Sequence, residues 1–287
     1  GGGAYGPMIA ALWLTHALNT ALFARLLRTA GFGLTATGFA TAVFALASFN
    51  IETLAWSVQW SALLSITFFL LAAQLFVRRI GAGIEIGWPA LLGLSLLAAA
   101  SALAFARGVL TGGALAAISL LPLGAAPRVW PARRRVAVAC LLPAIAVTVT
   151  IVLVSPGNHR SLAEHWRDAA EFGFCTWAAT PLHRLLASVA WHWPIVLALG
   201  AMKGALIVAV YRGATRSQRV LLALLLVFDL GNAVLLGIGR HHTGLPAANS
   251  ERYYYSALLC TLPITTASTP ASSVFTIATM IPTPATR

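Results

Sequence analysis

Apolar residues in this chain neither alternate with polar ones nor recur on a single helical face; they run on in long blocks. These blocks fall near 7–24, 33–49, 54–77, 87–105, 108–126, 136–154, 185–210 and 219–239, with a further one near 253–269. A helix needs roughly 17–25 apolar residues to cross a bilayer, and each block is close to that length. A membrane barrel would instead show segments of about ten alternating residues. The pattern therefore predicts an all-α, polytopic transmembrane helix bundle of about 8–9 spans, with the membrane domain over residues 1–261. From Leu262 onward the chain is rich in Thr, Pro, Ser and Ala (TASTPASSVFTIATMIPTPATR after the first few residues), and 262–287 is expected to be an unpacked tail.

Composition sharpens this picture. Of 287 residues 59% are hydrophobic and 9% charged, with a mean hydropathy of +0.83. Soluble domains carry about 25% charged residues, so lipid is the expected solvent and membrane lipid the expected partner. Cys140, Cys175 and Cys260 are scattered and form neither a disulfide framework nor a metal-spaced set.

The net charge of +12 is unevenly distributed. The first, third, fifth and seventh connections hold Arg25, Arg28, Arg78, Arg79, Arg128, Arg133, Arg134, Arg135, Arg212, Arg216 and Arg219. The alternate connections hold only Arg107, Arg160, Arg167, Arg184, Arg240 and Arg252. The richer set belongs in the cytoplasm by the positive-inside rule. The basic charge then reads as a topology signal, and no nucleic-acid partner is expected. This orientation gathers Glu52, Glu164, Asp168, Glu171 and Glu251 on the outer side, with His159, His165, His183, His241 and His242. The expected location is a bacterial inner membrane, with the candidate site on its outer face.

The longest outer connection, 155–184, contains SLAEHWRDAAEF. Ser161 and Glu164 have capping-box spacing, Leu162, Trp166, Ala169 and Ala170 share a face, and Arg167 and Glu171 are spaced for an i,i+4 ion pair. The stretch near 161–172 predicts an amphipathic helix lying in the membrane interface.

Polar residues inside the apolar blocks are few. Thr15, His16, Asn19 and Thr20 form one stripe, available either for interhelical hydrogen bonds or for a substrate. Lys203 is nine residues from Arg212 and Asp229 ten from Arg219, on consecutive helices. At about 1.5 Å per residue their depths match, which predicts a buried structural ion pair, because either charge alone in lipid is costly. Glu52, at the head of the block starting near 54, either caps that helix or belongs to a site; Trp56 lies one turn further on. No HExxH, CxxC or paired-carboxylate motif occurs, and GAGIEIG at 81–87 has the wrong spacing for a nucleotide loop. No metal site is expected from motifs.

The run LWLTHALNTALFARLLRTAGFGLTATGFATAVFALASFNIETLAWSVQW resembles the early part of GT-C type membrane glycosyltransferases. It is similar in particular to tetratricopeptide-bearing O-mannosyltransferases and to uncharacterised bacterial multi-pass relatives. His16 and Asn19 match a His-x-x-Asn helix of that pattern, and Glu52 and Trp56 a Glu-x-x-x-Trp outer turn. GLPAANSERYYYSALL resembles a Ser-Arg-Tyr segment that opens a late helix, with Glu251 intruding between Ser250 and Arg252. Ser48-Phe49 stands where the pattern has His-Pro.

The resemblance implies transfer of a sugar from a polyprenyl-phosphate donor to a cell-envelope acceptor, with a carboxylate as general base. Cationic groups, in some members with a divalent metal ion, would stabilise the leaving lipid phosphate. Arg252, His241 and His242 would then lie where that phosphate sits, with Glu52, Trp56, His16 and Asn19 as further substrate-binding candidates. The opening GGGAYGPM suggests a fragment lacking an upstream span and the acidic loop that carries the base. A non-catalytic flippase or transporter for lipid-linked sugars, or a scaffold subunit, is the alternative.

Overall fold

The computed structural model describes residues 5–121, 130–154, 162–180, 193–250 and 253–267. Within them the chain forms eleven α-helices, joined in places by short 3-10 turns, and no strand. The first, α1 (Tyr5–Thr29), buries Leu12, His16, Asn19, Phe23, Leu26 and Leu27, a stripe at three- and four-residue spacing. It stops in a Schellman turn. Gly31 adopts φ +86°, the Phe32 amide donates to the Leu27 carbonyl and the Gly31 amide to Arg28, both at 3.0 Å. Helix α2 (Leu34–Leu46) returns for only 13 residues.

The block expected as one helix over 54–77 is divided. A five-residue α3 (Ile51–Ala55) and a 3-10 turn (Ser57–Gln59) precede α4 (Trp60–Phe76), which ends in a π-turn over Val77–Gly81. Asn50 explains the early turn, because its amide donates to the Phe44 carbonyl at 2.8 Å and satisfies an open end of α2. Helices α5 (Trp88–Ala104) and α6 (Val109–Leu120) form a tight hairpin through Ala106–Gly108. Only glycine fits at 108, where a Cβ would lie 1.7 Å from the Ser101 carbonyl oxygen. Next come α7 (Trp130–Val154), α8 (Leu162–Ala179), α9 (Trp193–Gly213), α10 (Arg216–Arg240) and α11 (Tyr254–Ala267). A Thr215–Gln218 capping box starts α10.

Among the described residues five helices are long and apolar enough to cross a membrane: Tyr5–Thr29, Ser57–Gly81, Ala132–Val154, Trp193–Gly213 and Arg216–Thr243. They suggest membrane insertion. Helix α7 keeps most of its apolar surface outward, with Leu142, Val152, Leu153 and Val154 at 60–77% exposure. Among the described residues the expected 8–9 spans are matched by five such helices and three shorter apolar ones. At about 1.5 Å per residue, α2, α5 and α6 are shorter than a bilayer's roughly 30 Å core.

The ninth block is a different kind of element. Helix α11 has Tyr254, Tyr255 and Leu259 fully buried and packs against α2, α9 and α10. It continues to Ala267 with Leu262, Ile264 and Thr266 buried, so the tail boundary expected at 261–262 falls inside a packed helix. The threonines that made this stretch look like coil donate to the preceding turn: Thr265 and Thr266 both reach the Leu262 carbonyl. The remainder of that tail, 268–287, lies outside the described residues.

The connections at the two ends of the bundle differ in charge. Gln218 donates to the Gly31 carbonyl, Gly81 lies against Ser217, and Leu121 shares a hollow with Arg212. The arginine-rich connections thus meet at one end, called here the Gly31 end. The opposite end carries the start of α1 bonded to α3 (Tyr5 hydroxyl to Ala55 carbonyl, 3.3 Å) and is called the Glu52 end.

Helix α8 corrects the interfacial-helix expectation. His165, where the helix kinks, stacks on His241 beyond the end of α10, with ring centroids 5.8 Å apart. From there α8 runs antiparallel along α10, with Ala169 against Gly237 and Gly173 against Ala233, and reaches the level of Asp229 at Trp177. It therefore covers half of α10 from the Glu52 end and buries Phe172, Cys175 and Ala178. Arg167 lies over the Trp166 ring instead of pairing with Glu171.

A Cβ at Gly237 would stand 2.2 Å from the Ala169 carbonyl oxygen, whereas Gly239 has open space around it. Gly237→Val is expected to cost about 1–3 kcal/mol through overpacking, and Gly239→Ala to leave the midpoint unchanged; thermal unfolding of the detergent-purified protein measures both.

Candidate functional site

Three polar groupings occupy the interior of the bundle. The first joins α1, α4 and α11. His16 Nε2 faces the Ala45 carbonyl at 3.2 Å, and since a carbonyl only accepts, Nε2 carries the proton. Nδ1 then accepts from the Tyr255 hydroxyl at 3.1 Å, which leaves the imidazole neutral. The same hydroxyl accepts from Asn19 Nδ2 at 3.2 Å. Asn19 Nδ2 also donates to the Leu63 carbonyl, and its Oδ1 accepts from Thr67 at 2.7 Å. Trp60 completes the group by donating to Thr15. Asn19 is fully buried and His16 is 4% exposed. Of the two roles open to this stripe, the structure shows both residues in interhelical hydrogen bonding.

The second grouping is a hydroxyl chain, Ser65, Ser101 and Thr111, with links of 3.2 and 2.8 Å that tie α4, α5 and α6 together. The third surrounds α11 from the other side. Lys203 Nζ donates to Asp229 Oδ2 at 2.7 Å and to the Trp177 carbonyl at 2.9 Å, and sits 5.1 Å from the Trp177 ring. The matched depths of Lys203 and Asp229 thus correspond to a direct ion pair. Beside it, Ser256 Oγ accepts from Arg107 Nη1 at 3.1 Å and from Asn232 Nδ2 at 3.4 Å.

By sequence Arg107 is simply a basic residue of an outer connection. In the structure it is 8% exposed, and no carboxylate pairs with it among the described residues. Its Nε is sealed from solvent without a hydrogen-bond partner. A sequence signal existed: the FARGVL connection separates two apolar runs by too few residues to carry its arginine clear of the bundle. Tyr255 and Thr67 give no such signal, since a tyrosine or threonine in an apolar run has no evident partner until α11 is placed at the centre of the bundle.

The remaining candidates lie near the ends. Glu52 is half-buried in the first turn of α3, so it does not cap the long helix, which starts eight residues later with Gln59 at its N-cap. Trp56 ends α3 in extended conformation and is 55% exposed, leaving its ring available. His241 Nδ1 contacts the Gly237 carbonyl at 3.0 Å, and its ring also meets His242 edge-on at 6.0 Å. His165 in turn lies 3.3 Å from Asp168. This cluster does not amount to a metal centre: among the described residues no group of three or more His, Cys, Asp or Glu side chains has suitable geometry. Arg252 and Glu251 lie outside the described residues.

No family model, curated protein or solved structure matches this chain.

The Lys203–Asp229 pair makes a sharp energetic statement. Breaking a buried pair from one side strands a charge and costs about 3–5 kcal/mol. Lys203→Met and Asp229→Leu alone should each lose that much in thermal or denaturant unfolding, while the double substitution recovers most of it. Additive losses would mean that the two charges are not coupled.

Proposed function

We propose that this chain is an integral membrane protein of the glycosyltransferase-like, GT-C kind. It would move a sugar from a polyprenyl-phosphate donor to a cell-envelope acceptor. In this reading it is a multi-pass protein of a bacterial inner membrane. The short helices α2, α5 and α6 complete the bundle, and the Glu52 end faces outward. The arginine-rich Gly31 end then satisfies the positive-inside bias.

One observation carries the reading. Its two motif-bearing segments, near residues 16–56 and 245–260, are far apart in sequence, yet Tyr255 bonds directly to His16 and Asn19. The segments that resemble the glycosyltransferases therefore form a single polar unit. The chemistry assigned to that unit is indirect. His16 and Asn19 fix α11, and thereby the start of the Ser-Arg-Tyr segment, relative to α1. Glu52 and exposed Trp56 are the groups suited to a sugar, since a carboxylate accepts hydroxyl hydrogen bonds and an aromatic face offers a flat apolar surface to the ring.

A carrier of the same lipid-linked sugar, acting without chemistry, is the second reading. It is favoured by the complete engagement of His16 and Asn19 in bonds within the protein.

The test is transfer of a radiolabelled sugar from a polyprenyl phosphate to lipid acceptors by the full chain in proteoliposomes. Glu52→Gln is expected to lower transfer by about 10-fold, the scale of one lost hydrogen bond between a sugar hydroxyl and a charged group, with unchanged membrane abundance. Undiminished transfer would reduce Glu52 to a structural residue. Movement of the lipid-linked sugar between leaflets, with no transfer by the unaltered protein, would favour the carrier.

A further inference from the structure

Helix α8 packs against both α9 and α10, but only from the Glu52 end to the level of Lys203 and Asp229. On the Gly31 side of that level, α9 and α10 border a hollow of about 430 Å³ that α8 does not reach. Apart from Tyr211 and Arg212, every side chain lining it is aliphatic. Along α10 it runs from Leu222 to Val227, about 7.5 Å at the helical rise. It thus ends just short of the ion pair, since Val227 lies two residues from Asp229 and Ile207 one turn from Lys203. Val208 and Leu121, both exposed, form part of its rim.

The two polar residues stand where α9 reaches the Gly31 end, and Arg219 holds their backbone. It donates through Nε to the Tyr211 carbonyl and through Nη2 to the Arg212 carbonyl, both at 3.2 Å, and its guanidinium carbon lies 5.6 Å from the Tyr211 ring centroid. The Tyr211 hydroxyl and the exposed Arg212 guanidinium form no hydrogen bond or ion pair among the described residues. Nor is an acid at hand. Of the seven acidic residues only Glu85 belongs to the connections of this end. The hollow therefore joins an aliphatic interior to a cationic, hydrogen-bonding mouth. Left empty, its walls forfeit their dispersion contacts.

We propose that this hollow holds an acyl chain of one anionic phospholipid, drawn from the leaflet at the Gly31 end, which is the cytoplasmic one by the positive-inside bias. A basic pocket between helices on that side suits an acidic headgroup, and here Arg212 and Tyr211 meet it while the aliphatic walls take the chain. The site lies at the opposite end of the bundle from Glu52, Trp56 and His241. Its occupant is therefore neither donor nor acceptor in the proposed transfer, and the inference rests on membrane insertion alone. The role is structural: the lipid joins α9 to α10 on the side of the ion pair that α8 leaves uncovered.

Phosphatidylglycerol added to the lipid-stripped, detergent-purified full chain tests the site, with retained lipid weighed by native mass spectrometry and the unfolding midpoint followed alongside. The unaltered protein is expected to keep one phosphatidylglycerol per chain and to unfold at a higher temperature with it. Phosphatidylcholine of the same chains should bind about fivefold more weakly, the scale of one basic residue beside an anionic lipid. Glycerophosphoglycerol, the headgroup without chains, should not bind. Arg212→Gln should bring phosphatidylglycerol down to the level of phosphatidylcholine. Val208→Trp fills the hollow from its exposed rim and should weaken both lipids alike. Arg25→Gln, an exposed arginine of the same end outside the hollow, should change nothing. Equal retention of the two lipids by the unaltered protein would overturn the site, as would binding of the bare headgroup, and neither comparison needs a variant to fold. An equal loss from Arg25→Gln and Arg212→Gln would reduce it to diffuse attraction toward the basic end. Sugar transfer enters none of these measurements, so its failure leaves the lipid site standing.

Discussion

Side chains within this bundle are cut off from water twice. Packing excludes it from the interior, and the lipid suited to five long apolar helices would exclude it from the flanks. A polar group placed there must find its partner in the protein, at a cost of several kcal/mol where it fails. The three interior groupings follow from that constraint. Tyr255 serves His16 and Asn19 together, Ser101 links Ser65 to Thr111, and Lys203 takes a carboxylate and a carbonyl. All but the hydroxyl chain depend on α11 or its neighbours. A 14-residue helix of modest hydropathy is thus the element around which long apolar helices are arranged.

How much of this could be read in advance depended on whether the signal was local. Lys203 and Asp229 were legible because a helix has a fixed rise and each charge could be measured from an arginine at its helix end. The apolar blocks were legible for the same reason that they form helices, and a described helix lies in each. Helix α8 was not. SLAEHWRDAAEF has the amphipathic pattern of an interfacial helix, and that pattern cannot distinguish a lipid surface from the flank of α10. What decides it is the run of small residues facing each other, Ala169 with Gly237 and Gly173 with Ala233, which lets two backbones approach closely. Small residues so far apart in sequence announce nothing until they meet. The threonines of α11 misled in the other direction, because composition counts a hydroxyl as polar whether or not it has bonded to its own helix.

The same constraint separates structural from functional candidates. His16 and Asn19 carry the resemblance to sugar-transferring enzymes, yet every bond they form is to this chain, so their contribution is to hold α1, α4 and α11 in register. Trp56 keeps an open surface, whereas the unpartnered Nε of Arg107 is sealed within the bundle. Interior polar groups that are fully satisfied rigidify a core, whereas one left half-satisfied subtracts from its stability.

Helix α8 connects these two kinds of residue. Its first half carries Glu164 and Asp168, with His165 between them stacked on His241, and its last turn delivers the Trp177 carbonyl to Lys203 midway along α10. The end of a helix is electronegative, so Lys203 is held by a formal charge on one side and a backbone dipole on the other. Asp229 alone could neutralise Lys203, but the second acceptor fixes the ammonium against the shared wall of α8, α9 and α10. With Lys203 and Asp229 closed upon each other and upon α8, neither is free to turn toward Arg107. A guanidinium keeps its proton in a protein interior, so Arg107 stays cationic whatever the neighbouring pair does.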